Sequence, residues 1–183
     1  MAECAYKTIT ILSVTPELLA YNRGVESRIY LCLVVISGVI QQDVIAGVLE
    51  MLICDLESET DICLKMMKVI DGHVCLLRLL NDGSSVGVMT LITNILAFMV
   101  NSSHATALID DLLCADVFTV ILNLLDFHDD CVVENISVLI LKCSFDARFK
   151  RLGPILGTLV DREYRSEFVC ANMQTVADNL NVV

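Results

Sequence analysis

The sequence predicts an all-α chain folded as a single domain over residues 1–183. Three observations predict it. Apolar residues recur at three- and four-residue steps, as in Val88, Leu91, Ile92, Ile95, Leu96 and Met99, which draws one stripe on a helix. No stretch sustains over six residues the strict alternation a half-buried strand needs. Short polar segments between the stripes carry Ser, Thr, Asp and Asn, whose side-chain oxygens accept the free N–H groups at helix starts.

Bulk properties narrow the class. With 56% hydrophobic residues and a mean hydropathy of +0.70, the chain has apolar surface enough to offset its ordering entropy, so it is not disordered. A net charge of −11 repels phosphate backbones and excludes general nucleic-acid binding. Nine cysteines scattered through apolar runs read as small core hydrophobes in a reducing, intracellular compartment, cytoplasmic or nuclear. The N-terminal Met-Ala-Glu-Cys-Ala-Tyr-Lys lacks the order of a signal peptide. The glycosylation patterns at Asn101 and Asn135 are then chance matches.

Each element has its own warrant. Thr15-Pro16-Glu17 offers an N-cap, a proline for the first helical position and an early acid. Ile29 to Gln42 reads as a buried helix. Ser58-Glu59-Thr60-Asp61 opens a helix around Ile62–Ile70, and Asn81 to Ser85 forms a turn and then a cap for a helix over Val86–Val100. Asn101-Ser102-Ser103 starts a short helix through Ile109. Val117, Val120, Ile121, Leu124 and Leu125 form the next stripe. A helix over 131–143 follows, with Asp130 as its cap. Pro154 can begin another helix, and Glu163 to Asn179 reads as the last.

Internal repetition organises these elements. Leu76-Leu77-Arg78-Leu79-Leu80-Asn81 returns 45 residues later as Ile121-Leu122-Asn123-Leu124-Leu125-Asp126, each copy followed by a turn and a long apolar helix. Ile155 to Asp161 is a weaker copy after a further 34 residues, and Val48-Leu49-Glu50-Met51-Leu52 a degenerate earlier one. The pattern resembles armadillo and HEAT α-solenoids, most clearly over residues 73–161, with the part before about residue 60 degenerate. Ala105–Asp111, Ala115–Leu125 and Cys131–Cys143 look like the short, middle and long helices of one armadillo unit. Cys114-Ala115-Asp116 stands where the family places a turn glycine, and the equivalent of Asn94 at the 45-residue offset is Leu139. These departures argue against a regular ladder of partner-binding asparagines.

The resemblance implies an irregular right-handed α-solenoid of about three to four units, acting in non-catalytic protein–protein recognition on its concave face. Thr93-Asn94-Ile95-Leu96 is similar to the segment in which the family carries partner-binding asparagines. It therefore points to Asn94, with Thr90 one turn before and Asn101 two turns after on the same side. Charge suggests the partner's chemistry. Residues 54–134 hold 13 acids and only Lys65, Lys68 and Arg78, whereas six Lys and Arg follow residue 141. A basic partner segment fits the acidic stretch, although acids at helix starts also serve the dipole. Exposed solenoid ends would allow self-association.

Other chemistry finds little support. Cys63, His73 and Cys75 are the one local cluster of metal-binding types, without ligand spacing or a fourth donor, and read as core cysteines beside a surface histidine. No cysteine stands at a glycine-rich elbow or a helix start that would activate it, so no catalytic residue, metal or cofactor is expected. The pairs Asp110-Asp111 and Asp129-Asp130 read as caps. Gly83 to Gly87 lacks the Gly-Lys-Ser/Thr ending of a phosphate loop. The alternative to a binding module is a small membrane-associated protein using segments 29–40 and 86–100. The second of these falls about five residues short of the roughly 20 a crossing needs.

Overall fold

The structure is a computed structural model that describes residues 24–38, 41–81, 84–102, 105–152 and 163–181. Among the described residues it is entirely helical, with no strand. They fall into two compact units divided between Ile92 and Thr93.

The first unit contains α1 (Val25–Gly38), α2 (Gln42–Ser58), α3 (Thr60–Val69), α4 (Gly72–Asn81) and the beginning of α5 (Val86–Val100). α1 packs on α2, α3 and α4. It buries Ile29, Cys32, Leu33 and Ile36, which share a face by their three- and four-residue steps. α2 answers with Val44, Ile45, Val48, Leu49, Leu52 and Leu56. One carboxylate, Asp55, interrupts that stripe and is buried with it. Arg28 of α1 meets both its oxygens, with Nε 3.1 Å from Oδ2 and Nη2 2.5 Å from Oδ1, and the carboxylate in turn holds the guanidinium in its charged form.

The chain turns from α3 into α4 through Asp71, whose φ of 49° is left-handed, a region Asp tolerates better than most residues. Gly72 comes next, buried against α1 and α3. A Cβ there would lie 2.7 Å from Met67 Sδ and 2.9 Å from Leu33 Cδ1. The helix start approaches this closely because it has no side chain.

The second unit holds the remainder of α5, then α6 (Thr106–Leu112), α7 (Ala115–Asn123), a 3-10 turn η1 (Leu124–Asp126), α8 (Asp130–Ser144), a second 3-10 segment η2 (Ala147–Leu152) and α9 (Glu167–Asn181). α8 packs on α6, η1, η2 and α9. Phe118 of α7 and Phe149 of η2, both fully buried, meet edge to face with ring centres 5.5 Å apart, an arrangement the ring quadrupoles favour.

Hydroxyl–amide rungs set the register of α8 and α9. Asn172 Nδ2 donates to Ser137 Oγ at 2.8 Å, and Asn179 Nδ2 donates to Ser144 Oγ at 2.8 Å. Each serine passes its own proton to the carbonyl three residues earlier, Glu134 and Leu141 respectively, both at 2.7 Å. Its oxygen is thereby left to accept. Both rungs join residues 35 apart, so the two helices run parallel. A related contact joins Asn135 of α8 to Thr93 of α5, Nδ2 to Oγ1 at 3.4 Å. Asn135 and Asn172 are each the sixth residue of their helix, and Thr93 and Ser137 each the eighth.

Several expected elements stand as read from sequence, the helix over Val86–Val100 to the residue. Others shift for physical reasons. α6 starts at Thr106, later than expected, because the polar residues before it finish α5 instead: Asn101 Nδ2 donates to Ala97 O at 2.9 Å and Ser102 Oγ to Met99 O at 2.6 Å. α9 begins at Glu167 rather than Glu163, since Ser166 is drawn to Glu134 of α8, Oγ to Oε1 at 2.7 Å. The expected helix starts at Thr15-Pro16 and Pro154, and the weak repeat copy at 155–161, lie outside the described residues.

The rungs predict a measurable coupling. In urea denaturation, Asn172→Ala and Ser137→Ala should each lose about 1 kcal/mol, and the double variant should lose about 1 kcal/mol less than their sum. Strict additivity would mean that the rung carries no energy. Gly72→Ala should cost no more than about 1 kcal/mol, because the atoms its Cβ would meet are the ends of the Met67 and Leu33 side chains, which can shift; the measure is a small drop in urea midpoint at unchanged slope.

Candidate functional site

α5 presents the expected partner-binding residues, and its start is firmly anchored. Ser84 Oγ donates to Leu79 O at 2.7 Å. Ser85 caps the helix by accepting from Val88 N–H at 3.4 Å, and its own N–H donates to Gln42 Oε1 of α2 at 2.8 Å. Val88, Met89, Ile92, Thr93, Ile95, Leu96, Ala97, Met99 and Val100 are all buried. Exposure is confined to a narrow stripe of Gly87, Asn94, Phe98 and Asn101 together with Val86 at the helix start, and Thr90 and Leu91 are half-buried.

Thr90, Asn94 and Asn101 share one side of this helical run, by spacings of four and seven residues, but their polar groups are not equally available. Thr90 Oγ1 donates to Val86 O at 2.9 Å. Asn101 spends its amide on Ala97 O at 2.9 Å. Asn94 is exposed, and its carboxamide makes no hydrogen bond among the described residues. Of the three, only Asn94 has its whole side chain uncommitted to its own helix, since Thr90 and Asn101 each bond back to a carbonyl four residues earlier. Phe98, one turn on and 39% exposed, was missed from sequence because the apolar pattern of α5 gives no sign of which residue stays outside.

The acidic pairs sort differently from expectation. Asp129, not Asp130, caps α8: its side chain accepts from Val132 N–H at 3.0 Å. Asp130 becomes the first helical residue and remains exposed. With Asp126, Phe127, Val133, Glu163 and Arg165 it lines a cavity of about 190 Å³. Glu163 comes from beyond η2, so nothing in the local sequence announces this cavity.

Asp110 and Asp111 stand near the end of α6, where no cap is needed. Asp110 instead accepts from Arg148 Nη2 at 2.6 Å, a guanidinium that also grips Asp146 through Nε at 2.9 Å and Nη2 at 2.7 Å. Arg148 holds the Asp146 carboxyl down at about 2, against an ordinary 3.8. This basic residue is therefore largely committed within the unit.

The cysteines correct a second expectation. Cys32, Cys63 and Cys143 are buried, but Cys54, Cys114, Cys131 and Cys170 are exposed and Cys75 is half-buried. Burial pushes the Cys32 and Cys143 thiols up to about 12 and Cys63 to about 11, which leaves them protonated and poorly nucleophilic. Two of the exposed cysteines stand at helix starts, Cys114 at the N-cap of α7 and Cys131 in the first turn of α8, beside the acids Asp129 and Asp130.

His73 is buried at 2% exposure rather than on the surface. Among the described residues no three His, Cys, Asp or Glu side chains group so as to hold a metal ion. Nor is any described helix long and apolar enough to cross a membrane; the 15 residues of α5 span about 22 Å against a hydrocarbon core of about 30 Å. No family model, curated protein or solved structure matches this chain.

Two outcomes check these assignments. Asp129→Ala should cost about 1 kcal/mol as a lost cap, while Asp130→Ala should stay within about 0.5 kcal/mol; the reverse order in chemical denaturation would restore Asp130 as the cap. For Asp146 the folded value is depressed, so its contribution is complete above the unfolded value of 3.8 and is lost as pH falls through about 2. The gap in urea midpoint between wild type and Asp146→Asn should therefore hold from pH 7 to 5, narrow below about pH 4 and close only below about pH 2.

Proposed function

We propose that this chain is a non-catalytic protein–protein recognition module. Its helices stack as an irregular armadillo/HEAT-like right-handed solenoid, and the exposed stripe of α5 receives a partner segment. The free carboxamide of Asn94, exposed on the narrow outer stripe of a mostly buried helix, is the observation that carries this reading. An amide with one donor and one acceptor side can pair with both the C=O and N–H of a partner's main chain. Because such a contact reads backbone, it suits an extended segment.

Helix order and rung position support the stacked arrangement. Two shorter helices precede a 15-residue one in both α3, α4, α5 and α6, α7, α8, and the asparagine-to-hydroxyl contacts recur at the sixth and eighth helical positions. A partner rich in Lys and Arg would complement the net charge of −11 and the absence of any Lys or Arg from residue 79 to 141.

Affinity enrichment followed by binding measurements on the captured partner tests the proposal. Asn94→Ala should raise Kd about 5- to 30-fold, the equivalent of roughly 1–2 kcal/mol for two lost hydrogen bonds, with an unchanged unfolding curve. Asn123→Ala, an exposed asparagine on α7, should leave Kd unchanged. Raising salt should weaken binding to a basic partner. Equal affinity of wild type and Asn94→Ala would remove α5 as the binding face.

A further inference from the structure

We draw no further inference here: the strongest candidate, the cavity of about 190 Å³ before the N-terminal ends of α8 and α9, rests on the acidic cluster Asp126, Asp130 and Glu163, and nothing in the structure shows what would enter it.

Discussion

Helices that are apolar on more than one side cannot finish burying themselves in a pair, and each unit is built around that constraint. α1 is surrounded by α2, α3 and α4, and α8 by α6, α9 and the two 3-10 segments. Burial supplies the driving force, on the order of 0.8 kcal/mol per methylene, but it has no direction. A stripe of Val, Ile and Leu can slide by a turn and bury nearly the same area. Register has to come from groups that tolerate only one partner.

In the second unit those groups are buried hydroxyls. Ser137 is fully buried, and slipping α9 along α8 would leave its oxygen without the Asn172 amide, at a cost of about 1–3 kcal/mol. The second rung, two turns along, would fail together with the first. In the first unit the corresponding group is a carboxylate. Asp55 lies within the apolar stripe of α2, and only Arg28 at the right height satisfies it. Stranding such a charge costs more than the pair itself contributes. The same carboxylate adds to burial in keeping the neighbouring Cys32 and Cys63 thiols protonated.

Availability for binding then follows from what the packing has already consumed. α5 is buried on so much of its circumference that its accessible surface is reduced to one stripe, and most polar groups on or near it are spent on the helix itself. Thr90 bonds back to Val86 and Asn101 to Ala97. Asn94, exposed on the same side, makes no such bond back to its helix. Charge sorts similarly: Arg148, one of the basic residues after 141, is held by Asp110 and Asp146.

Helical character and the bounds of α5 were legible in the amino-acid sequence, because each depends on local spacing and capping chemistry. Alignment at 45 paired Asn94 with Leu139 and so showed no repeated asparagine. Helix starts at 86, 130 and 167, 44 and then 37 residues apart, reveal a different recurring set in Asn135 and Asn172, turned inward toward Thr93 and Ser137. Whether Asp129 or Asp130 caps α8 depended on a backbone angle, and whether His73 or Cys131 is buried depended on neighbours distant in the chain. Sequence alone determined helical character and where α5 begins and ends, since these follow from the 3.6-residue period and its punctuation. Only tertiary structure decided which asparagines hold helices together and which are left over, because a hydrogen bond is spent or free according to what lies within about 3 Å of it.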